Sequence, residues 1–418
     1  MTSQVKNPAL ADQGRRNIEW AEMQMGALLR VQERFAKEKP LKGVRVGMAL
    51  HVTKETAVLV KTLVAGGAQV SITGCNPLST QDDAAAALAE EKGVEVFAHK
   101  GETREEYYDF LNRVIAFKPH VTIDDGCDLV SEIHTKHPNL IPGVICGCEE
   151  TTTGIIRLKA MEADGALKYP MLAVNESDTK HLMDNFYGTG QSTIDGLLRA
   201  SNILFAGRVV VVIGYGNCGK GVASRARGLG AKVIVTEVDA FRALQATMDG
   251  FWVMPMAEAA KVGEVFVSVT GNKHTVTVAH MKTMKSGAIL ANAGHFDNEV
   301  DVAGLKKIAR KSRNIRPMFD EYDLGNGKVV FLAGEGRLVN LAAAEGHPST
   351  VMAMSFCNQA LAVEYGIKNK GKLGPGVHEL PKEIDHHVAQ LQVEAMGIEI
   401  DTLTAAQQKY LASWKEGT

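Results

Sequence analysis

Val209–Glu237, VVVVIGYGNCGKGVASRARGLGAKVIVTE, is the stretch that most restricts the fold. Val209 to Ile213 are five consecutive β-branched residues, a short apolar run suited to a strand buried on both faces. Gly214, Gly216 and Gly219 then give G-x-G-x-x-G where the strand must turn into a helix. The first glycine permits the tight turn, the second lets a pyrophosphate approach the backbone, and the third lets the helix pack on the strand. A second apolar run, Val233–Val235, follows, and Glu237 stands at its end. An acid about 20 residues past the glycines is where the ribose 2′-OH of NAD binds, and its charge would repel the 2′-phosphate of NADP. Glycine is common in the chain, with 41 residues, so the motif alone says little. The strand, the helix and the distal acid together predict an NAD site.

At 418 residues the chain exceeds one ordinary core, and two or three domains are expected. A net charge of −2 without long charged blocks argues against nucleic acid or anionic lipid as a partner. MTSQVKNPALADQGRR has no apolar core of signal-peptide length, and no stretch approaches the roughly 18 apolar residues of a membrane span. Six cysteines without regular spacing fit free thiols in a reducing cytoplasm. Cys146-Gly-Cys148 and His134…His137 lack correctly spaced partner pairs, and the adjacent His386 and His387 do not converge on one ion, so no metal is expected.

In chain order, Ile18–Lys37 reads as one amphipathic helix stopped by Pro40. Val44–Leu50, Ala68–Thr73, Val94–Ala98, Val121–Ile123 and Met171–Val174 read as strands, with helices at His51–Ala65, Ala84–Ala89 and Glu105–Phe117. Several of these strands end in polar residues, which makes a ligand cleft at their carboxyl ends. After Glu237 come Val265–Val269, Ile289–Ala291 and Val329–Leu332 as strands. Pro348–Gly366 reads as a long helix able to return the chain to the first domain, and Thr404–Thr418 as a polar terminal helix.

Five clusters mix proton donors and acceptors: His51-Val-Thr53-Lys-Glu55, Asp124-Asp125-Gly126, Glu149 to Thr153, Lys180 with Asp184-Asn185, and Gly294-His295-Phe296-Asp297. Singly, each has a structural explanation: a helix N-terminus, a turn, or an i,i+4 surface pair. Their order decides. HVTKETAVL, CNPLSTQDDAAAA, DDGCDL, EETTTG, Asn175 through Tyr187, GYGNCGKG, NAGHFDNEVD and EGRLVNLAAAEGHPS closely resemble the S-adenosylhomocysteine hydrolase family, from about Ala11 to Tyr410.

The resemblance implies two doubly wound α/β domains, a Rossmann NAD-binding domain inserted into a split substrate domain, with a short helical tail. The implied boundaries are 1–185 and 347–390 for the substrate domain, 190–346 for the NAD domain and 391–418 for the tail. It implies reversible hydrolysis of S-adenosylhomocysteine to adenosine and homocysteine. The ribose 3′-OH is transiently oxidised, the C4′ proton is removed, the thiol is eliminated, water adds and the ketone is reduced again. By resemblance, Lys180 with Asp184 is the base for the 3′-OH, on a lysine pKa lowered by desolvation. Glu150 binds the ribose, Asp125 lies near C4′ and C5′, and His51 and His295 handle the protons of sulfur and water. Asn185 positions the nicotinamide, and Thr53, Glu55 and His347 lie at the adenine. Asn217, Asn272, Asn340, Thr151, Thr152 and Thr153 complete the implied cofactor contacts, and a homotetramer is implied. Gly188 and Gly190, in the first crossing between domains, are expected to permit the backbone changes of a closing hinge.

Two features depart from the family. Thr189 follows Tyr187-Gly188 where well-known members carry a cysteine, and the chain stops at YLASWKEGT where many relatives continue into a basic tail. No cofactor contact is therefore expected from the C-terminus. Three rival readings are an S-inosylhomocysteine hydrolase, a D-2-hydroxyacid dehydrogenase using Arg337 for a substrate carboxylate, and a silent NAD-binding regulator.

Overall fold

The computed structural model describes residues 3–416. Seven strands come first: β1 Gln4–Val5, β2 Arg45–Ala49, β3 Gln69–Thr73, β4 Val94–Ala98, β5 Val121–Asp124, β6 Cys146–Glu149 and β7 Pro170–Ala173. Eight more follow: β8 Val209–Ile213, β9 Lys232–Thr236, β10 Trp252–Val253, β11 Val265–Ser268, β12 Ala288–Asn292, β13 Lys311–Arg316, β14 Phe319–Gly325 and β15 Lys328–Ala333. The last strand, β16 Gly376–His378, returns to the first sheet and pairs with β7. The first sheet runs β1-β4-β3-β2-β5-β6-β7-β16, all parallel. The second runs β10-β9-β8-β11-β12-β15-β14-β13. Its parallel part, β10 through β15, has the strand order of a Rossmann fold.

Continuous apolar runs make the central strands because helices cover both faces. The run Val209–Ile213 is buried along four of its five residues. The returning helix Ser349–Lys368 belongs to the first sheet's core, where Phe356, Cys357, Ala360 and Val363 pack with Met48, Val70 and Cys148.

Four sequence expectations change. The helix expected over 18–37 breaks at Met25, where φ −111° and ψ 40° separate Ala11–Gln24 from Gly26–Glu38. The helix expected from His51 starts at Lys54, because Thr53 caps it by accepting a bond from the Thr56 N–H. His51 is thus left at the end of β2, outside the helix. Among the described residues the terminal helix covers Ala405–Leu411, and residues 417–418 of the expected Thr404–Thr418 lie outside them. Gly188 and Gly190 are both helical, so their role is close packing. A Cβ at Gly190 would lie 2.7 Å from the Gly221 carbonyl carbon, and one at Gly188 would lie 2.9 Å from His347 Nδ1. The segment Asp184–Gly188 is a π turn running directly into the helix Thr189–Ser201.

Candidate active site

Doubly wound sheets collect ligands where the strand order reverses, outside the carboxyl ends. That point lies between β2 and β5 in the first sheet and between β8 and β11 in the second. Both open into one cavity of about 820 Å³. Of the residues that the glycine motif and the resemblance assign to substrate or cofactor, all but Gly219 line it. Gly219 works behind the wall, where a Cβ would lie 2.0 Å from the Gly214 carbonyl oxygen.

At the first switch point, His51 Nε2 stands 3.4 Å from Asp125 Oδ2. Ser79 Oγ is 2.7 Å from His51 Nδ1 and bonds Asn76 O at 3.0 Å. Burial pushes the His51 imidazole down to about 4, outweighing the neighbouring Asp125 charge, so the ring is neutral. His295, beyond β12, reaches across from the other sheet and puts Nδ1 3.5 Å from Asp125 Oδ1. Gly126 makes room for it: at φ +104°, a Cβ there would sit 2.3 Å from His295 Nε2.

Lys180 lies at the centre of the polar network. Its Nζ is 2.9 Å from Asp184 Oδ2 and 3.6 Å from Glu150 Oε1, and it donates to Asn185 Oδ1 at 2.8 Å and Asn175 Oδ1 at 3.3 Å. Burial alone would lower the ammonium's pKa, but Asp184 and Glu150 outweigh it and the net direction is upward. The expected lowering is reversed because desolvation acts beside two carboxylates. Asp184 is held well below the usual carboxylate range: burial opposes ionisation, and His347 and Lys180 overcome it. His347 Nδ1 contacts Asp184 Oδ1, and its Nε2 lies 3.3 Å from Thr189 Oγ1. Burial raises Glu150, against the pull of Lys180. Its oxygens accept from Ser355 Oγ and from Gln359 Nε2 at 2.6 Å. Glu55 Oε1 accepts from Ser349 Oγ at 2.7 Å, with Lys54 Nζ 3.4 Å away.

On the second sheet, Glu237 accepts backbone N–H bonds from Tyr215 at 2.7 Å, Val238 at 2.8 Å and Asp239 at 3.2 Å. Its carboxylate is fixed at the end of β9 with capacity left for a hydroxyl donor. A Cβ at Gly216 would meet nothing closer than Arg242 Nη1 at 3.7 Å, which leaves a phosphate open access to the backbone. Asn340 Nδ2 donates to Ser192 Oγ at 3.2 Å, while its buried Oδ1 lacks a partner and so suits a carboxamide donor. Asn272 orders the loop after β11 by accepting from Lys273 N at 2.8 Å. Thr151, Thr152 and Thr153 face this side from the first sheet. Thr153 Oγ1 would lie 3.3 Å from a Cβ at Gly271. These donors and openings fit a dinucleotide.

A family model described as S-adenosyl-L-homocysteine hydrolase matches residues 2–142, and one described as its NAD binding domain matches residues 185–346. The chain belongs to the S-adenosyl-L-homocysteine hydrolase family. Membership makes NAD the cofactor of the second sheet's crevice and the protein an NAD-dependent hydrolase. Among family members, the chain is 59% identical over 419 residues to an adenosylhomocysteinase of Saccharolobus solfataricus, covering 100% of each. It is 57% identical over 415 residues to an S-inosyl-L-homocysteine hydrolase of Methanocaldococcus jannaschii, covering 99% of this chain and 100% of the relative. An adenosylhomocysteinase of Aquifex aeolicus is 57% identical over 418 residues, with 100% of both covered.

Sequence reasoning missed the residues that hold this family's charged groups in place. Asn175, Ser349, Ser355 and Gln359 each bond one of them. The available signal was the pair Ser355 and Gln359, four residues apart in a mostly apolar helix. Arg337, the arginine a hydroxyacid dehydrogenase would need, pairs with Asp297 at 3.0 Å. It is absent from the cavity lining.

Proposed function

We propose that the protein reversibly hydrolyses S-adenosyl-L-homocysteine to adenosine and homocysteine while retaining its NAD. One observation carries this reading: Lys180, Asp184, Asn185 and Glu150 meet His295 and the dinucleotide crevice around a single cavity. NAD supplies reversible hydride acceptance, which makes the ribose 3′-carbon transiently a ketone and its neighbour C4′–H acidic.

The remaining tasks fall to the side chains. Glu150, already holding Ser355 and Gln359, has lone pairs left for the ribose hydroxyls. Lys180 and Asp184 control the 3′-OH proton, with Lys180 acting as base from its deprotonated form. Asp125, between His51 and His295, removes the C4′ proton. His51 and His295 handle the protons of the incoming water and the departing sulfur from either side of Asp125. Asn185 and Asn340 orient the nicotinamide. Thr53, Glu55 and His347 read the base, and Glu55, an acceptor, favours the adenine amine over the hypoxanthine carbonyl.

We further assign residues 1–185 and 347–390 to the substrate domain, 190–346 to the NAD domain and 391–418 to a tail. The pairing of β16 with β7 supports the return. A homotetramer is our reading of the assembly, supported by exposed Phe241, Leu244, Met248 and Trp252 along one side of the second unit. Six free cysteines support a cytoplasmic setting.

The deciding experiment measures adenosine release from S-adenosylhomocysteine together with the NAD content of the purified protein. Bound NAD with catalytic adenosine release is expected. Stoichiometric NADH in solution would instead indicate a dehydrogenase.

A further inference from the structure

Lys180 stands on a very short element, the single helical turn Asp178–His181, which precedes the π turn Asp184–Gly188. One turn of helix makes too few internal bonds to hold itself, and the N–H groups that open it have no partner within it. Ser177 occupies the capping position, yet its side chain makes no capping bond and its buried Oγ lacks a partner. The acceptor comes instead from far along the chain. Asp385, on the helix Lys382–Ala395, accepts the Asp178 N–H at Oδ2 (2.7 Å) and the Thr179 N–H at Oδ1 (3.0 Å). The Thr179 hydroxyl also donates to Asp385 and accepts from Asn358 Nδ2 at 2.8 Å, which ties the turn to the helix Ser349–Lys368 as well.

We propose that Asp385 is a positioning residue for Lys180, holding the turn that aims its ammonium group into the active site. Both carboxylate oxygens accept, a demand that an amide, with one acceptor oxygen, meets only by half. Asp385 is absent from the cavity lining, so it acts through the turn alone. Thr179 and Lys180 are adjacent and both buried, so releasing the backbone at Thr179 shifts the root of the lysine side chain. That shift loosens the reach of Lys180 Nζ to Asp184 at 2.9 Å and to Asn185 at 2.8 Å. The consequence for catalysis rests on the reading of Lys180 as the base for the 3′-OH, whereas the anchor itself does not.

The test compares the holoprotein with Asp385→Ala and Asp385→Asn. Hydrogen exchange of peptides covering Asp178–His181, measured without substrate, should be at least about tenfold faster in Asp385→Ala, with Asp385→Asn between it and the wild type. On mixing with saturating adenosine, enzyme-bound NADH should form at least about tenfold more slowly in Asp385→Ala, while adenosine affinity stays within about threefold. Val388→Ala, which opens a cavity beneath the same helix, should lower Tm without slowing that step. Unchanged exchange in Asp385→Ala overturns the anchor. Faster exchange with an unchanged reduction rate overturns its action on Lys180, and so does equal slowing by Val388→Ala. A wild type that forms no bound NADH overturns the role of Lys180 together with the hydrolase reading, while the exchange comparison still decides the anchor.

Discussion

Lys180 faces two carboxylates, and that surrounding sets how the first chemical step responds to pH. Asp184 and Glu150 hold it as an ammonium against its burial, so the base form is the minor one at neutrality. Enzyme-bound reduced cofactor should therefore form faster as pH rises. Asp184→Asn should move the profile to lower pH, since it removes the nearest raising charge. Stopped-flow absorbance checks both, and a pH-independent wild type would remove Lys180 as the base. Glu55 makes a prediction of specificity. Glu55→Gln keeps the shape but adds a donor, so the adenine-over-hypoxanthine preference in kcat/KM, at least about tenfold in the wild type, should shrink. Equal wild-type rates on the adenosyl and inosyl substrates would exclude Glu55 as the reader. Away from the cavity, burial pushes Glu102 from 4.5 up to about 7, against the bond it accepts from the His99 N–H. Its folded pKa exceeds the unfolded one, so the folded state holds the extra proton between those values and stability falls as pH rises through that window. The loss is on the order of 3 kcal/mol. Glu102→Gln should raise Tm at pH 8 and leave it little changed at pH 4. A Tm gain equal at both pH values would assign the effect to packing.

The helix Ser349–Lys368 shows how an element can be legible while its task is not. Its apolar composition marks a buried helix, and Pro348 marks its start. That Ser355 and Gln359 point at Glu150 depends on the return of the chain, which no local pattern encodes. Gln359→Leu should leave the Glu150 carboxylate one donor short, destabilising the protein by about 1–3 kcal/mol in denaturant unfolding. It should also weaken adenosine binding. Stability and binding both at wild-type values would show that Ser355 alone suffices. The same distinction separates the sheets' centres from their edges. Val209–Ile213 announces itself as a strand because both faces are buried, whereas Lys311–Arg316 is exposed throughout and carries no apolar signal. β1 and β16 are two and three residues long, too short for any periodicity. Cys146–Glu149 has little β-branched character and became a strand through its neighbours β5 and β7. Site residues were legible as family motifs, but their convergence from opposite sheets was not.

Across the whole molecule, loops of the two sheets meet over the cavity. His295 meets Asp125, and the Arg157 guanidinium lies 5.5 Å from the Phe296 ring centroid. Arg157 is itself anchored on the first unit by Asp128 at 2.6 Å and Ser131 at 3.2 Å. Opening of the cleft would separate Phe296 and His295 from Arg157 and Asp125. The covalent crossings constrain the motion. The first is helical from Asp184 onward, with Gly188 and Gly190 packed too closely to swing freely. Its weak point is the π turn, where the Gly188 N–H reaches Met183 O only at 3.4 Å. The second crossing includes Gly346 at φ +84°, just before the capping Pro348. We expect bending at these two places, with closure excluding water from the ketone formed during turnover. Small-angle scattering should give a ligand-free radius of gyration larger than that of this structure, falling to it when adenosine saturates the site. Arg157→Ala should shift the ligand-free protein further open and weaken adenosine binding, since part of the binding energy then goes to closing the cleft. The same radius with and without adenosine, at confirmed saturation, would mean that the cleft is permanently closed and that substrate enters without domain motion.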